Sequence, residues 1–219
     1  DRVVLDDLLR QVIVAARDAE VTHLLLRTRD ESPAAEAAPR AGFVLVQGER
    51  LWHGRLAPTS HTTTGVRDWS KDDVFPSFQV YSRAVPVAAR QSMAMTVNEW
   101  SAIHDRHWQE RGDGALVAEH DGRVVATARY ARGSGQFTLI SEPDMAAATD
   151  MLVTAVAERM EDAKRHIALI AAAGTTEDAA LRRAGLIQEP EVYLLFCKRL
   201  VHPVREETYA RAGIPITGG

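Results

Sequence analysis

The sequence predicts an α/β protein built on a mixed sheet, and three observations carry that expectation. Residues 1–53 lie over 144–196 without a gap, at an offset of 143, and each stretch reads as helix, strand, helix, strand. Residues 115–140 fall into three short alternating runs joined by turn residues, the pattern of an antiparallel meander. The 219 residues are 46% hydrophobic, enough to build one large domain or two small ones.

The internal repeat is the most informative of the three. Asp1, Asp7, Leu9, His23, Leu26, Ala37, Arg40, Ala41, Gly42 and Leu51 recur as Asp144, Asp150, Leu152, His166, Leu169, Ala180, Arg183, Ala184, Gly185 and Leu194. The apolar pairs Leu8/Met151, Ile13/Val156, Leu24/Ile167, Phe43/Leu186 and Val44/Ile187 keep the same step. In the second copy Met145, Leu152, Val156, Met160 and Ala163 form the stripe of an amphipathic helix ending near Lys164. His166 to Ile170 follows as a short buried strand. Gly174-Thr175-Thr176-Glu177-Asp178 stops that strand and opens a helix, with Thr175 or Thr176 as N-cap and acids in the first turn. Gly185, like Gly42, follows Arg-Ala, where a helix C-terminus asks for a left-handed residue. Val192 to Phe196 closes the unit as a strand.

Between the copies, Phe78 to Val85 alternates like a strand, and Val87 to Trp108 reads as one helix with Met93, Val97, Trp100 and Ile103 on a face. Ala115–Glu119 and Val124–Tyr130 are strands joined through Asp121-Gly122, the residues of a type I′ hairpin turn. Gly133-Ser134-Gly135 turns the chain into a strand over 136–140. The expected organisation is a half-domain at 1–56, a Thr/Ser/Asp/Gly-rich linker at 57–75, a complete domain at 76–200 and a tail at 201–219. A first residue Asp1 in place of Met is the mark of a chain trimmed from a longer one; about 90 residues of the half-domain's front are then expected upstream.

Composition removes several classes of function. A net charge of −4 with no long basic run argues against nucleic acid as partner. No apolar stretch approaches the ~18 residues that span a bilayer, and the N-terminus has no signal-peptide pattern, so no membrane association is expected. Cys197 is the one cysteine; it excludes an internal disulfide framework and a Cys-rich zinc site and fits a cytoplasmic protein.

The order of elements over 76–200, with a meander feeding a helix and then a parallel strand, resembles the GNAT acetyltransferase superfamily. Residues 1–53 resemble the closing half of a second such domain. The phrase Ala179-Ala-Leu-Arg-Arg-Ala-Gly-Leu186 is similar to the family's helix before its last strands, and Ala37-Ala-Pro-Arg-Ala-Gly-Phe43 keeps the habitual Gly-Phe. The resemblance implies acetyl-CoA as cosubstrate, an opening between the strand before the long helix and the strand after it, and a small-molecule amine as acceptor. It assigns Leu139, Ile140, Ser141, Asp144, Met145, Ala146 and Ala147 to the cofactor and Glu142 to the role of general base.

The sequence departs from the family there. The loop Ile140-Ser-Glu-Pro-Asp-Met-Ala has no glycine, carries two acids where phosphates should approach, and loses a donor at Pro143. Each like-charge contact of that kind costs on the order of 1 kcal/mol in partly screened surroundings. The family's tyrosine falls at Leu181 and its asparagine near Gly174. Two functions follow: an N-acyltransferase moving an acetyl group to an amine, or a non-catalytic GNAT-like domain used for packing, for dimerisation as a homodimer, or for ligand recognition.

Other constellations point to structure. His104, His107 and Glu110, with Trp108 and His120 nearby, have the spacing of a metal pair but the ordinary character of a helix surface, so no metal site is expected. His23 and His166 both open a strand and are read as structural, and Cys197 as a packing residue. Glu119 is a solvent-facing strand residue, and Trp69, Trp100 and Trp108 are read as core or linker packing.

Overall fold

The computed structural model describes residues 2–57, 63–106, 113–172 and 174–200. Eight strands form one mixed sheet. The N-terminal part folds as α1 (Arg2–Asp18), β1 (His23–Arg29), α2 (Pro33–Arg40) and β2 (Val44–Gly54). After it come β3 (Val66–Asp68), α3 (Val74–Ala84), α4 (Val87–Met93), α5 (Val97–Arg106), β4 (Gly114–His120), β5 (Arg123–Ala131) and β6 (Gln136–Ser141). The chain closes with α6 (Ala146–Arg159), β7 (His166–Ala171), α7 (Thr175–Arg183) and β8 (Ile187–Arg199).

Across the sheet the order is β1-β8-β2-β7-β6-β5-β4-β3, antiparallel everywhere except between β6 and β7. The closing strands of the two similar stretches have therefore changed places. β2 pairs with β7, running from Gly54 opposite His166 to Glu49 opposite Ala171. β8 pairs with β1, from His23 opposite Arg199 to Arg29 opposite Tyr193. The two exchanged strands also pair with each other, Val44 with Cys197 and His53 with Ile187. Residues 2–54 and 66–200 thus share one sheet.

Two cores result. Under β4–β7, α6 and α7 bury Leu152, Val156 and Leu181 against Leu116, Val125, Phe137, Leu139, Ile170 and, from the exchanged strand, Trp52. Under β1 and β8, α1 and α2 bury Leu9, Ile13, Ala37 and Ala38 against Phe43 and Phe196. On the other face of the meander, α3 sets Val80 on Val117 and Val124.

Three expectations change. Residues 78–85 are not a strand: 78–84 lie in α3, with Val85 as its C-cap; the buried positions Ser77, Val80 and Tyr81 have helical spacing, and the helix begins just after Asp73, which accepts bonds from the Ser70 amide and hydroxyl. The helix expected over 87–108 is two, broken at Ala94 in the left-handed region (φ 42°) and restarted by Thr96 and Glu99, which bond each other's backbone amides. Residues 107–112, with His107, Trp108 and Glu110, lie outside the described residues, as do the side chains of 102–106. The expected linker supplies β3, which pairs with β4, and Arg67 there binds Asp73 through two 2.7 Å contacts and also Glu119. Glu119, read as solvent-facing, is thus in an ion pair.

The hairpin-turn and helix-end signals match, but the expected N-cap of α7 does not. Asp121 and Gly122 both have positive φ, 53° and 73°, as a type I′ turn requires. Gly42 and Gly185 close α2 and α7 at φ 79° and 89°. The N-cap of α7 is Gly174, with no side-chain bond, rather than either threonine.

Candidate functional site

The parallel strands β6 and β7 pair only at Gln136/Ile167 and Phe137/Ala168. Beyond those residues they part, leaving a wedge between the C-terminal end of β6 and that of β7. α6 leaves from one lip of this wedge and α7 from the other. At its mouth lies a hollow of about 50 Å³, lined by Ala84, Ser141, Pro143, Gly174, Thr175, Thr176 and Glu177. Sites for drug-sized ligands run from about 300 to 1,000 Å³, so this one is far smaller.

Inside the wedge the decisive contact is between Glu177 and Ser141. Glu177 stands in the first turn of α7, is buried, and accepts the Ser141 backbone N–H at 2.7 Å. A charge-assisted bond of this kind contributes about 1.5–3 kcal/mol. The Ser141 hydroxyl is also buried and has no hydrogen-bond partner among the described residues. Sequence reading found Ser141 but missed Glu177, because 36 residues separate them and the first-turn acid already had a sufficient explanation at the helix N-terminus.

Glu142, the expected base, is committed elsewhere. Its Oε1 receives Arg83 from the end of α3 at 2.7 Å and Arg123 from the start of β5 at 2.5 Å. Burial pushes its carboxyl up, but the hydrogen bonds and charges of the two guanidinium groups outweigh that and hold it below the usual carboxylate range. A carboxylate so stabilised is a weak proton acceptor.

The expected cofactor residues do not converge on one surface. Leu139 points into the core beneath α6, whereas Ile140 packs on the opposite face beside Val80 and Trp69. Asp144 is exposed, with φ 64°, and Met145 is the α6 N-cap. Ala146 and Ala147 are exposed in the first turn of α6. The helix terminus is open to solvent, but its approach is framed by Pro143, which has no amide hydrogen, and the Asp144 carboxylate. These residues do not fit acetyl-CoA at either end: the thioester end meets an amide already bonded to Glu177, and the diphosphate end meets an acid.

Comparison with known proteins places the architecture. Neither a family model nor a curated protein matches the sequence. Among solved structures, a GCN5-related N-acetyltransferase from Kribbella flavida aligns with a TM-score of 0.54 and 15% identity, covering 95% of this chain and 79% of that one. A protein from Novosphingobium aromaticivorans assigned to the GNAT family gives 0.51 and 11%, covering 82% and 75%. The fold is that of the GNAT acetyltransferases. A conserved Staphylococcus epidermidis protein of unknown function gives 0.53 and 13%, covering 90% and 81%, so the GNAT fold is also found without an assigned activity.

The remaining titratable residues of this GNAT fold are structural. His166 is buried; it takes the Leu56 N–H on Nδ1 at 3.1 Å and lies 3.3 Å by Nε2 from the Met160 carbonyl. Burial, chiefly, lowers its pKa. His23 likewise meets a helix-end carbonyl, Met93, at 2.9 Å. Asp178 accepts the Trp52 indole N–H at 3.1 Å and pairs with Arg50 at 2.6 Å, tying the exchanged strand β2 to α7. Cys197 is buried, and burial raises its thiol pKa. Trp100 packs on Phe78 and Tyr81, while Trp69 donates to Ser77 and carries Arg129 5.6 Å above its ring. Among the described residues no cluster could hold a metal ion, and no helix is long and apolar enough to cross a membrane.

Proposed function

We propose that this chain is a GNAT-like domain that does not carry acetyl transfer in its own wedge and serves packing or recognition within an N-acyltransferase architecture. The contact between Glu177 and the Ser141 amide carries this reading. It occupies the Ser141 donor with an acidic side chain, where a thioester would need a free donor and its diphosphate would need a positive field. Calorimetric titration of the chain with acetyl-CoA tests it. No saturable heat is expected at millimolar ligand; micromolar binding that is lost when an acid is added to the hollow's lip by Pro143→Asp would overturn the proposal.

A second reading is favoured by one observation, the unpartnered Ser141 hydroxyl in a wedge of the GNAT kind. Here the chain is an N-acetyltransferase from acetyl-CoA to a small amine, and Glu177, rather than Glu142, is the acid facing the hollow where an ammonium would shed its proton. Release of free thiol from acetyl-CoA in the presence of an amine panel, abolished by Glu177→Gln, is the result this reading requires.

A further inference from the structure

The two similar stretches of chain differ in what covers their first helix, and the difference identifies a missing neighbour. At the offset of 143, α1 corresponds to α6 and β1 to β7. α6 packs under β4 and β5 and is covered on nearly every side: Ala155 and Ala157 are 6% and 3% exposed. The corresponding residues of α1, Val12 and Val14, are 43% and 56% exposed. Leu8 is 53% exposed, whereas its counterpart Met151 is half-buried.

These side chains are not the helix's inward face. Leu9, Ile13 and Ala16 make that face and are buried against α2, β1 and β8 residues and Phe43. Val4, Leu8 and Val12, spaced by four, form a second apolar stripe beside it. The strand shows the same asymmetry. β7 has a neighbour on each side, β2 and β6, whereas among the described residues β1 pairs only with β8 and ends the sheet. An unpaired edge next to an uncovered apolar stripe is a surface that soluble proteins avoid leaving open.

We infer that this surface is the seat of a three-stranded antiparallel meander equivalent to β4–β6, carried by the same polypeptide immediately ahead of α1. In the covered copy, β6 pairs in parallel with the start of β7 and reaches α6 through the short turn from Glu142 to Met145. The same path leads from a strand beside Leu24 and Leu25 into the N-terminus of α1, so the occupant is covalently continuous with the helix it covers. A second copy of this chain fits less well, because its own α1 would arrive in the space that the strands need. The inference rests on the repeat and is independent of whether the β6/β7 wedge binds acetyl-CoA.

Radical footprinting on two polypeptides tests it: the 219-residue chain and the gene product as translated. Leu8 and Val12 should be labelled strongly in the former and several-fold less in the latter, while Leu9 and Ile13 stay protected in both. The 219-residue chain carrying Leu8→Glu and Val12→Glu should keep its circular dichroism, since neither side chain is in the core. Equal labelling of Leu8 in both polypeptides, or a translated product with nothing ahead of α1, overturns the inference. So does a dimer of the 219-residue chain that those two substitutions dissociate, since it would place a second copy on the stripe.

Discussion

Replacing Asp178 tests whether the exchanged strand β2 is latched to the domain it completes. Its carboxylate takes the Trp52 indole N–H at 3.1 Å and the Arg50 guanidinium at 2.6 Å, with side-chain exposures of 12% and 24% for Asp178 and Arg50. Burial raises the Asp178 pKa more than Arg50 and Trp52 lower it, so the pair is not a net gain over an apolar contact. Removing the acid alone is another matter. Asp178→Ala leaves a buried indole donor unmet, about 1–3 kcal/mol, and strands a mostly buried guanidinium, for which the fully buried range of about 3–5 kcal/mol is an upper bound. We expect a loss of about 3–4 kcal/mol, because Arg50 keeps some water and the Ala172 carbonyl. Asp178→Asn keeps the indole acceptor and should lose about 2 kcal/mol. Arg50→Met with Asp178→Leu should recover the part of the Asp178→Ala loss that comes from the stranded guanidinium, but not the part from the Trp52 donor, which stays unmet. Urea unfolding followed by tryptophan fluorescence reads all three. A loss under about 1 kcal/mol for Asp178→Ala, or no recovery in the double variant, would refute the argument.

Three further outcomes are expected. His166 has a folded pKa below its ordinary 6.5, so the unfolded chain takes the proton first as pH falls. Its contribution is complete above about pH 6.5 and declines below it by up to about 1.4 kcal/mol per pH unit until the folded pKa is reached; His166→Gln should flatten that slope in denaturant titrations. Gly185→Ala, at φ 89°, should cost about 1–2 kcal/mol by thermal or chemical unfolding, with Gly122→Ala as a comparison at an open hairpin tip. Cys197 should resist an aromatic disulfide reagent in the native protein and react at once in urea; rapid native reaction would show that the β1/β8 core opens.

What the sequence disclosed follows a physical divide. Asp121-Gly122, Gly42 and Gly185 fix backbone angles within a few residues, and their neighbours cannot override them. The α6 stripe was legible only at its centre, Leu152 and Val156: the helix ends at Arg159, so Met160 and Ala163 lie past it and Met145 is its N-cap, while the order helix, strand, helix, strand at both ends of the chain was legible in full. Residues 78–85 were misread because Phe78 and Val80 also fit a period of two; the buried Ser77 that reveals the helical period is polar. The exchange of β2 and β8 left no trace, since the two strands are similar and either pattern suits a place beside β7. Of the site, the wedge could be expected from the element order and Ser141 was named. The Glu177 contact could not be found, because nothing local distinguishes an acid that bonds its own helix from one that reaches a strand 36 residues away.

The crossing of β2 and β8 also fixes when the molecule can fold. β2 finds its partner β7, and β1 its partner β8, only after more than a hundred further residues have been made. Two strands made before the meander are thus joined to these partners after it, and the loops to be closed are long. Helices α1 and α2 must wait with an apolar face uncovered while β3 to β7 assemble. Synthesis interrupted before β8 should give a chain that aggregates rather than one with a finished first half.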